Sequence, residues 1–215
     1  MSRTSREILK LAPVVPVITI RDIKDAVPLA KALVAGGIPV LEVTLRTPQG
    51  LEAIRLMKQE VEGAVVGAGT IVNERDLDNA VEAGSEFIIT PGLTDNLLRA
   101  GMKCGVTFLP GIATISDLMR CMEHGLDTLK FFPAEAAGGA KTLKAFSGPF
   151  PDIRFCPTGG IGLNNIADYL AVSSVLSVGG SWLTPDNLIN AGDWAGITRL
   201  AKEATEKVAS IRSAT

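Results

Sequence analysis

Lys130 stands in the run Thr128-Leu129-Lys130-Phe131-Phe132-Pro133, alternating with bulky apolar residues as an inward-facing strand residue would. Lysine is rarely buried without a task. A desolvated amine is pushed toward its neutral form, and a neutral amine attacks carbonyls. Glu42, Thr44 and Arg46 alternate in the same way with Leu41, Val43 and Leu45. If the aliphatic set packs against helices, a carboxylate and a guanidinium face the opposite side of the sheet, where desolvation is costly unless they are paired or used. The bland alternatives are a buried Glu42–Arg46 ion pair and a Lys130 that only neutralises Glu42. Their place toward the C-terminal ends of strands, where barrel enzymes keep their chemistry, favours function.

Three glycine-rich turns could cradle an anion. Gly67-Ala68-Gly69-Thr70 closes the third apolar run, Thr158-Gly159-Gly160 follows the seventh, and Gly179-Gly180-Ser181 follows the eighth. Glycine lets backbone N–H groups approach a ligand, and Ser181 adds a hydroxyl. The last two turns occupy the places where a barrel often holds phosphate.

These residues need a scaffold that alternates strand and helix. Short β-branched runs fall at 14–20, 40–45, 64–68, 87–90, 106–109, 128–132, 153–156 and 175–178. Amphipathic stretches lie between them, as at 25–35, 50–60, 74–83 and 116–123, with Asp22, Asn73 and Thr94 as N-caps. Residues 1–12 read as an extra N-terminal helix and 193–213 as a long final one. Eight such units predict a parallel sheet closed into a (β/α)8 TIM barrel, spanning 1–215 as a single domain. An open doubly wound sheet would carry a nucleotide loop, and neither GxxxxGK nor a sound GxGxxG follows the first strand.

Composition removes several functions. A net charge of −2 offers no field for a phosphate backbone, so no nucleic-acid partner is expected. No run approaches a membrane span, and the N-terminus lacks the pattern of a secretory signal. Cys104, Cys121 and Cys156 are odd in number and widely spaced, which fits reduced thiols in a cytoplasmic protein. His124 is the only histidine and precedes Gly125, as at a helix C-terminus; a multi-histidine zinc site is impossible, and no GxSxG elbow accompanies it.

At the residues that carry chemistry the chain resembles a known family, the class I aldolases for 2-keto-3-deoxy-6-phosphogluconate and 4-hydroxy-2-oxoglutarate. The resemblance covers nearly the whole chain. It runs through PVVPVI at 13–18, ALVAGG at 32–37, LEVTLRT at 41–47, VGAGT at 66–70 and PGL at 91–93. It continues through LPGIAT at 109–114, KFFPAE at 130–135, RFCPTGGI at 154–161 and VGGSW at 178–182.

The resemblance implies a lyase that cleaves the phosphogluconate derivative to pyruvate and glyceraldehyde 3-phosphate, and 4-hydroxy-2-oxoglutarate to pyruvate and glyoxylate. Lys130 is implied as the Schiff-base residue and Glu42 as the acid/base. Arg46 and Thr70 are implied to hold the pyruvate half, while Thr158, Gly159, Gly160, Gly179, Gly180 and Ser181 surround the distal hydroxyls and phosphate. No metal or cofactor is implied, and family members are commonly homotrimers. The competing readings are a phosphosugar isomerase or epimerase on the same barrel, and a non-catalytic phosphometabolite-binding barrel. The first leaves Lys130 without a covalent task; the second has little use for buried charge.

Overall fold

The computed structural model describes residues 3–213. It is an α/β fold in which curled, wholly parallel sheets alternate with helices. One sheet carries six strands: β1 (Val14–Ile18), β2 (Val40–Thr44), β3 (Val65–Gly69), β4 (Phe87–Ile89), β5 (Thr107–Leu109) and β9 (Val178–Gly180). Their spatial order is β5-β4-β3-β2-β1-β9. A second sheet holds β6 (Gly111–Ile112), β7 (Thr128–Phe131) and β8 (Arg154–Pro157), in that order. Isolated parallel bridges join Phe155 to Val175 and Thr158 to Gly179, linking the two sheets at β8 and β9.

The differences from expectation lie at strand ends. The fifth run, 106–109, forms β5, and beyond Pro110, which has no amide to give to a ladder, the chain resumes as β6, a strand not expected from the sequence. The eighth begins at Val178, with Val175 making only its isolated bridge. The first stops at Ile18.

Helices cover the convex side. In α2 (Ala26–Ala35), Leu29, Ala30 and Leu33 are fully buried, and in α3 (Gly50–Glu60) Ala53, Ile54 and Met57 do the same. This is the i, i+3/i+4 stripe of a helix with one core face. The final helix, α10 (Trp194–Ser213), lies against α2 so closely that a Cβ on Gly36 would come 2.3 Å from Ala201 Cβ. Thr198 and Thr205 donate across that seam to the carbonyls of Ala32 and Gly36, at 3.0 and 3.3 Å. Ala32 O also accepts from the Gly36 amide at 3.1 Å, so Thr198 adds a second bond there, whereas Thr205 serves the carbonyl of the C-cap Gly36 itself.

Capping is explicit in the chain. Asn73 accepts from Asp76 N at the start of α4 (Glu74–Glu82), and Thr94 from Leu97 N at the start of α5 (Asp95–Gly101). Asp22 caps a 3₁₀ turn, Ile23–Asp25, immediately before α2. A further cap, unread from the sequence, is the Thr114–Asp117 capping box of α6 (Ile115–Glu123), which ends on His124.

A short helix, α1 (Ser5–Leu11), precedes β1 and packs against the strands where they begin. Its Ile8 and Leu9 join Val15, Val40, Val65, Phe87, Ile89, Leu109 and Cys156 in a core cluster distinct from the one beneath the outer helices. Burying these two side chains contributes roughly 3–6 kcal/mol. Because every strand pair is parallel, the opposite, C-terminal ends all open on the other side.

Candidate active site

Residues 40–44 of β2 are all buried, but for two different reasons. Leu41 and Val43 belong to the outer core with the helices, whereas Glu42 and Thr44 face the concave side. Thr44 satisfies its hydroxyl there by donating to Ile18 O at 2.9 Å, and it meets the Thr19 hydroxyl at 3.0 Å. In β7, Leu129 and Phe131 point outward in the same way and Lys130 points in.

Lys130 Nζ lies 3.1 Å from Glu42 Oε1, with the two residues only 5% and 2% exposed. They are 88 residues apart in sequence, on strands of different sheets. The lysine's expected partner is therefore in place, while the Glu42–Arg46 pair is not formed. Arg46 follows the end of β2, is exposed, and donates from Nε to Thr70 Oγ1 at 3.3 Å. The polar alternation of 42, 44 and 46 thus continues past the strand, but burial stops with the strand.

Two glycines stand around the pair where a side chain would not fit. A Cβ on Gly69 of β3 would come 2.2 Å from Glu42 Oε1, so only glycine fits beside the carboxylate. Gly111, the register partner of Lys130 on β6, has no space either: a Cβ there would lie 2.4 Å from Thr90 O. Its amide donates to Thr90 Oγ1 at 2.9 Å, which ties the break after Pro110 to the end of β4. Immediately after Gly69, Thr70 adopts φ = 63°, a left-handed conformation unusual for a β-branched residue. Such strain costs on the order of 1–3 kcal/mol and collects where function requires it.

Three features of this centre were not legible in the sequence. The Phe132 ring lies under the amine, its centroid 5.4 Å from Lys130 Nζ. Cys156 pairs in register with Lys130 and is buried beside it. Burial pushes its thiol up to about 12, opposed by the Lys130 ammonium and a Thr158 hydrogen bond and reinforced by Glu42. The third is Gly69, visible only as part of a glycine turn. Cys156 carried one available signal, its alternation with Phe155 along β8.

The two later glycine runs meet each other, Gly159-Gly160 as a turn after β8 and Gly179-Gly180 as the end of β9. Thr158 bridges Gly179, and a Cβ on Gly179 would strike Thr158 Oγ1 at 2.1 Å. Gly159 and Gly160 both have positive φ, 106° and 77°. Gly180 is covered by the Trp182 ring and Ser181 is exposed. Among the described residues, the amides of Gly160, Ile161, Ser181 and Trp182 donate to no protein acceptor. Successive unpaired N–H groups of this kind are the chemistry that anions bind. Because β8 meets β9 through the bridges, and β9, β1 and β2 are successive neighbours, these turns and the Lys130–Glu42 pair open on one face.

Among the described residues no group of three or more His, Cys, Asp or Glu side chains could hold a metal ion. No helix there is long and apolar enough to cross a membrane.

Comparison with known proteins agrees with this geometry. The model of the KDPG and KHG aldolase family matches residues 5–200. The chain is 53% identical over 208 residues to the 2-dehydro-3-deoxy-phosphogluconate aldolase of Pseudoalteromonas atlantica, covering 97% of each. It is 55% identical over 205 residues to the KHG/KDPG aldolase of Escherichia coli, covering 95% of this chain and 96% of that one. Among solved structures, a KDPG aldolase from Legionella pneumophila, with pyruvate captured as a covalent carbinolamine, superposes with a TM-score of 0.91 at 45% identity. That match covers 93% of this chain and 97% of the other.

Fold and matches together define an α/β carbon–carbon lyase of the aldolase class. The chain belongs to the KDPG and KHG aldolase family.

Proposed function

We propose that this protein is a Schiff-base aldolase that cleaves 2-keto-3-deoxy-6-phosphogluconate to pyruvate and glyceraldehyde 3-phosphate, and 4-hydroxy-2-oxoglutarate to pyruvate and glyoxylate. The observation that carries the proposal is the buried contact of 3.1 Å between Lys130 Nζ and Glu42 Oε1. An amine that will attack a ketone sits against a base able to take and return its protons.

Neutral Lys130 adds to the C2 ketone, giving a carbinolamine that loses water to form a protonated imine. Glu42 removes the proton of the C4 hydroxyl, directly or through a water. The C3–C4 bond breaks, its electron pair flowing into the iminium, and the aldehyde leaves. The resulting enamine takes a proton at C3, and water hydrolyses the imine to pyruvate and free Lys130. Arg46, held to Thr70 at 3.3 Å, suits the pyruvate carboxylate. Thr158, Gly159, Gly160, Gly179, Gly180 and Ser181 take the distal hydroxyls and phosphate through free amides and hydroxyls.

Residues 1–215 act as one domain, and its two sheets form one (β/α)8 barrel, with β5 and β6 as halves of its fifth strand and α1 as an extra N-terminal helix that closes its floor. The bridges from β8 to Val175 and Gly179 support this closure, as does an inner cluster drawn from six strands. Free Cys104, Cys121 and Cys156 suit a reducing cytoplasm. The protein assembles as a homotrimer, as the family resemblance implies; an exposed apolar stripe on α6, where Ile115, Met119 and Met122 fall at i, i+4 and i+7, supports association between copies.

The test is mass spectrometry after incubation with pyruvate and sodium borohydride. An adduct mapped to Lys130 is the expected result. A folded sample with no lysine adduct would sink the mechanism and favour the isomerase reading.

A further inference from the structure

The Gly159-Gly160 turn is held from below by a pair of side chains that the proposed chemistry does not use. Tyr169, on α8 (Ile166–Leu170), is 1% exposed, and its hydroxyl donates to Glu135 Oε1. Glu135 ends the KFFPAE segment, five residues after Lys130, and is exposed. Its main chain and that of Ala134 are zipped to the turn: Ala134 N donates to Thr158 O at 2.8 Å, and Glu135 N to Gly159 O at 3.1 Å. The Glu135 side chain then lies flat against the next residue, since a Cβ on Gly160 would come 2.6 Å from Glu135 Cγ and 2.8 Å from its Cβ. On the far side Asn165 closes the turn, donating to Gly160 O at 3.0 Å and accepting from Gly162 N at 2.9 Å.

The conformation at stake is a demanding one. Consecutive residues at φ 106° and 77° form the turn that leaves the amides of Gly160 and Ile161 without protein acceptors. Glycine permits that conformation but does not select it, because glycine also loses the most freedom on ordering. Selection has to come from what touches the turn. A carboxylate is otherwise the wrong group to place beside an anion site, as its charge repels the ligand. Its position here makes sense if geometry outweighs repulsion and the Tyr169 hydroxyl holds the carboxylate away from the free amides.

We infer that Glu135, anchored by Tyr169, is a positioning residue that holds the Gly159-Gly160 turn in its anion-binding conformation and so favours substrates with a phosphorylated distal end. This rests on the proposed aldolase reading for its substrates, but the turn can be tested without turnover. Binding of inorganic phosphate is measured by calorimetry in the parent protein, Tyr169→Phe, Glu135→Ala and Glu135→Gln. Pyruvate and borohydride trapping at Lys130 is run on each.

Tyr169→Phe and Glu135→Ala are expected to weaken phosphate binding about tenfold, the loss of one charge-assisted hydrogen bond. They should raise KM for the phosphorylated keto acid by a similar factor and leave KM for 4-hydroxy-2-oxoglutarate and the Lys130 adduct unchanged. Glu135→Gln keeps an acceptor for Tyr169 and drops the charge, so it should bind phosphate at least as tightly as the parent. A parent that binds no phosphate, equal affinity in parent and Tyr169→Phe, or equal KM changes for both substrates would overturn the inference. Absence of a pyruvate adduct in the parent, with the phosphate pattern intact, would instead remove the aldolase chemistry and leave the positioning role standing.

Discussion

A buried ion pair is costly to make and more costly to break. Replacing Lys130 by Met strands the Glu42 carboxylate among Gly69, Thr44 and Cys156 with no cation beside it, a loss of roughly 3–5 kcal/mol. Lys130→Met should therefore abolish turnover and pyruvate trapping and also lower the denaturation midpoint. The double variant Lys130→Met/Glu42→Gln should recover much of that stability and none of the activity. Equal midpoints in the single and double variants would mean that the carboxylate is solvated or protonated without its partner. Glu42→Gln alone keeps the amine and removes the base, so turnover should fall by about 10²–10⁴ while pyruvate still adds to Lys130. Loss of the adduct as well would move Glu42's role forward to carbinolamine formation.

The thiols make a prediction of opposite character. Burial raises Cys121 and Cys156 from an ordinary 9.0 to about 12. A raised folded value means the folded protein keeps protons that the unfolded chain has released, so the contribution is complete below about pH 9 and fades as pH rises toward about 12. Urea midpoints should decline across that window, and Cys156→Ala should flatten the decline relative to the parent. Parallel pH profiles would show that the Cys156 thiol ionises as readily in the folded protein as in the unfolded chain.

At the scale of elements, the site depends on how closely strands can approach. β3 offers no side chain next to Glu42 because residue 69 is glycine, and β6 none next to Thr90 because residue 111 is. Gly69→Ala would force the carboxylate to shift by more than an ångström, and a displacement of that order costs about 10²-fold in rate. The variant should fold, since the clash is with a side chain rather than backbone, and its kcat should fall by about that factor. A kcat within twofold of the parent would show that Glu42 has room to move without consequence. The broken fifth strand has a comparable logic. Pro110 ends one ladder and lets Gly111 begin another, and the amide of Gly111 is satisfied by Thr90 instead of a strand partner.

For the molecule as a whole, α1 packs on one side of the sheets, and the Lys130–Glu42 pair and the glycine runs open on the other. Three of the large apolar side chains exposed among the described residues, Ile115, Met119 and Met122, share one face of α6. Light scattering should give a trimeric mass for the parent, and Met119→Asp should shift it toward the monomer, because a charge at the middle of an apolar contact is left unpaired. A monomeric parent would leave the stripe without a partner, and an unchanged trimer in Met119→Asp would place the interface elsewhere.

The sequence by itself determined which residues alternate, and with that the faces of β2 and β7, the inward Glu42 and Lys130, and the caps at Asn73 and Thr94. Those are local properties, set by a two-residue strand period and by side chains bonding their own backbone. Of the three glycine runs read as turns, only Gly159-Gly160 is one: Gly67 and Gly69 lie within β3 and Gly179 and Gly180 end β9, because a residue without a side chain also suits a strand that a neighbour approaches closely. What local signals could not carry was distance. That Lys130 meets Glu42 rather than Arg46 meeting it was decided by the curl of the sheet, which brings strands 88 residues apart to 3.1 Å, and by the end of β2 two residues before Arg46. The same holds for Phe132 beneath the amine, Cys156 beside it, and Glu135 beneath Gly160: each is ordinary in its own segment, and packing across segments gives it a neighbour worth noticing.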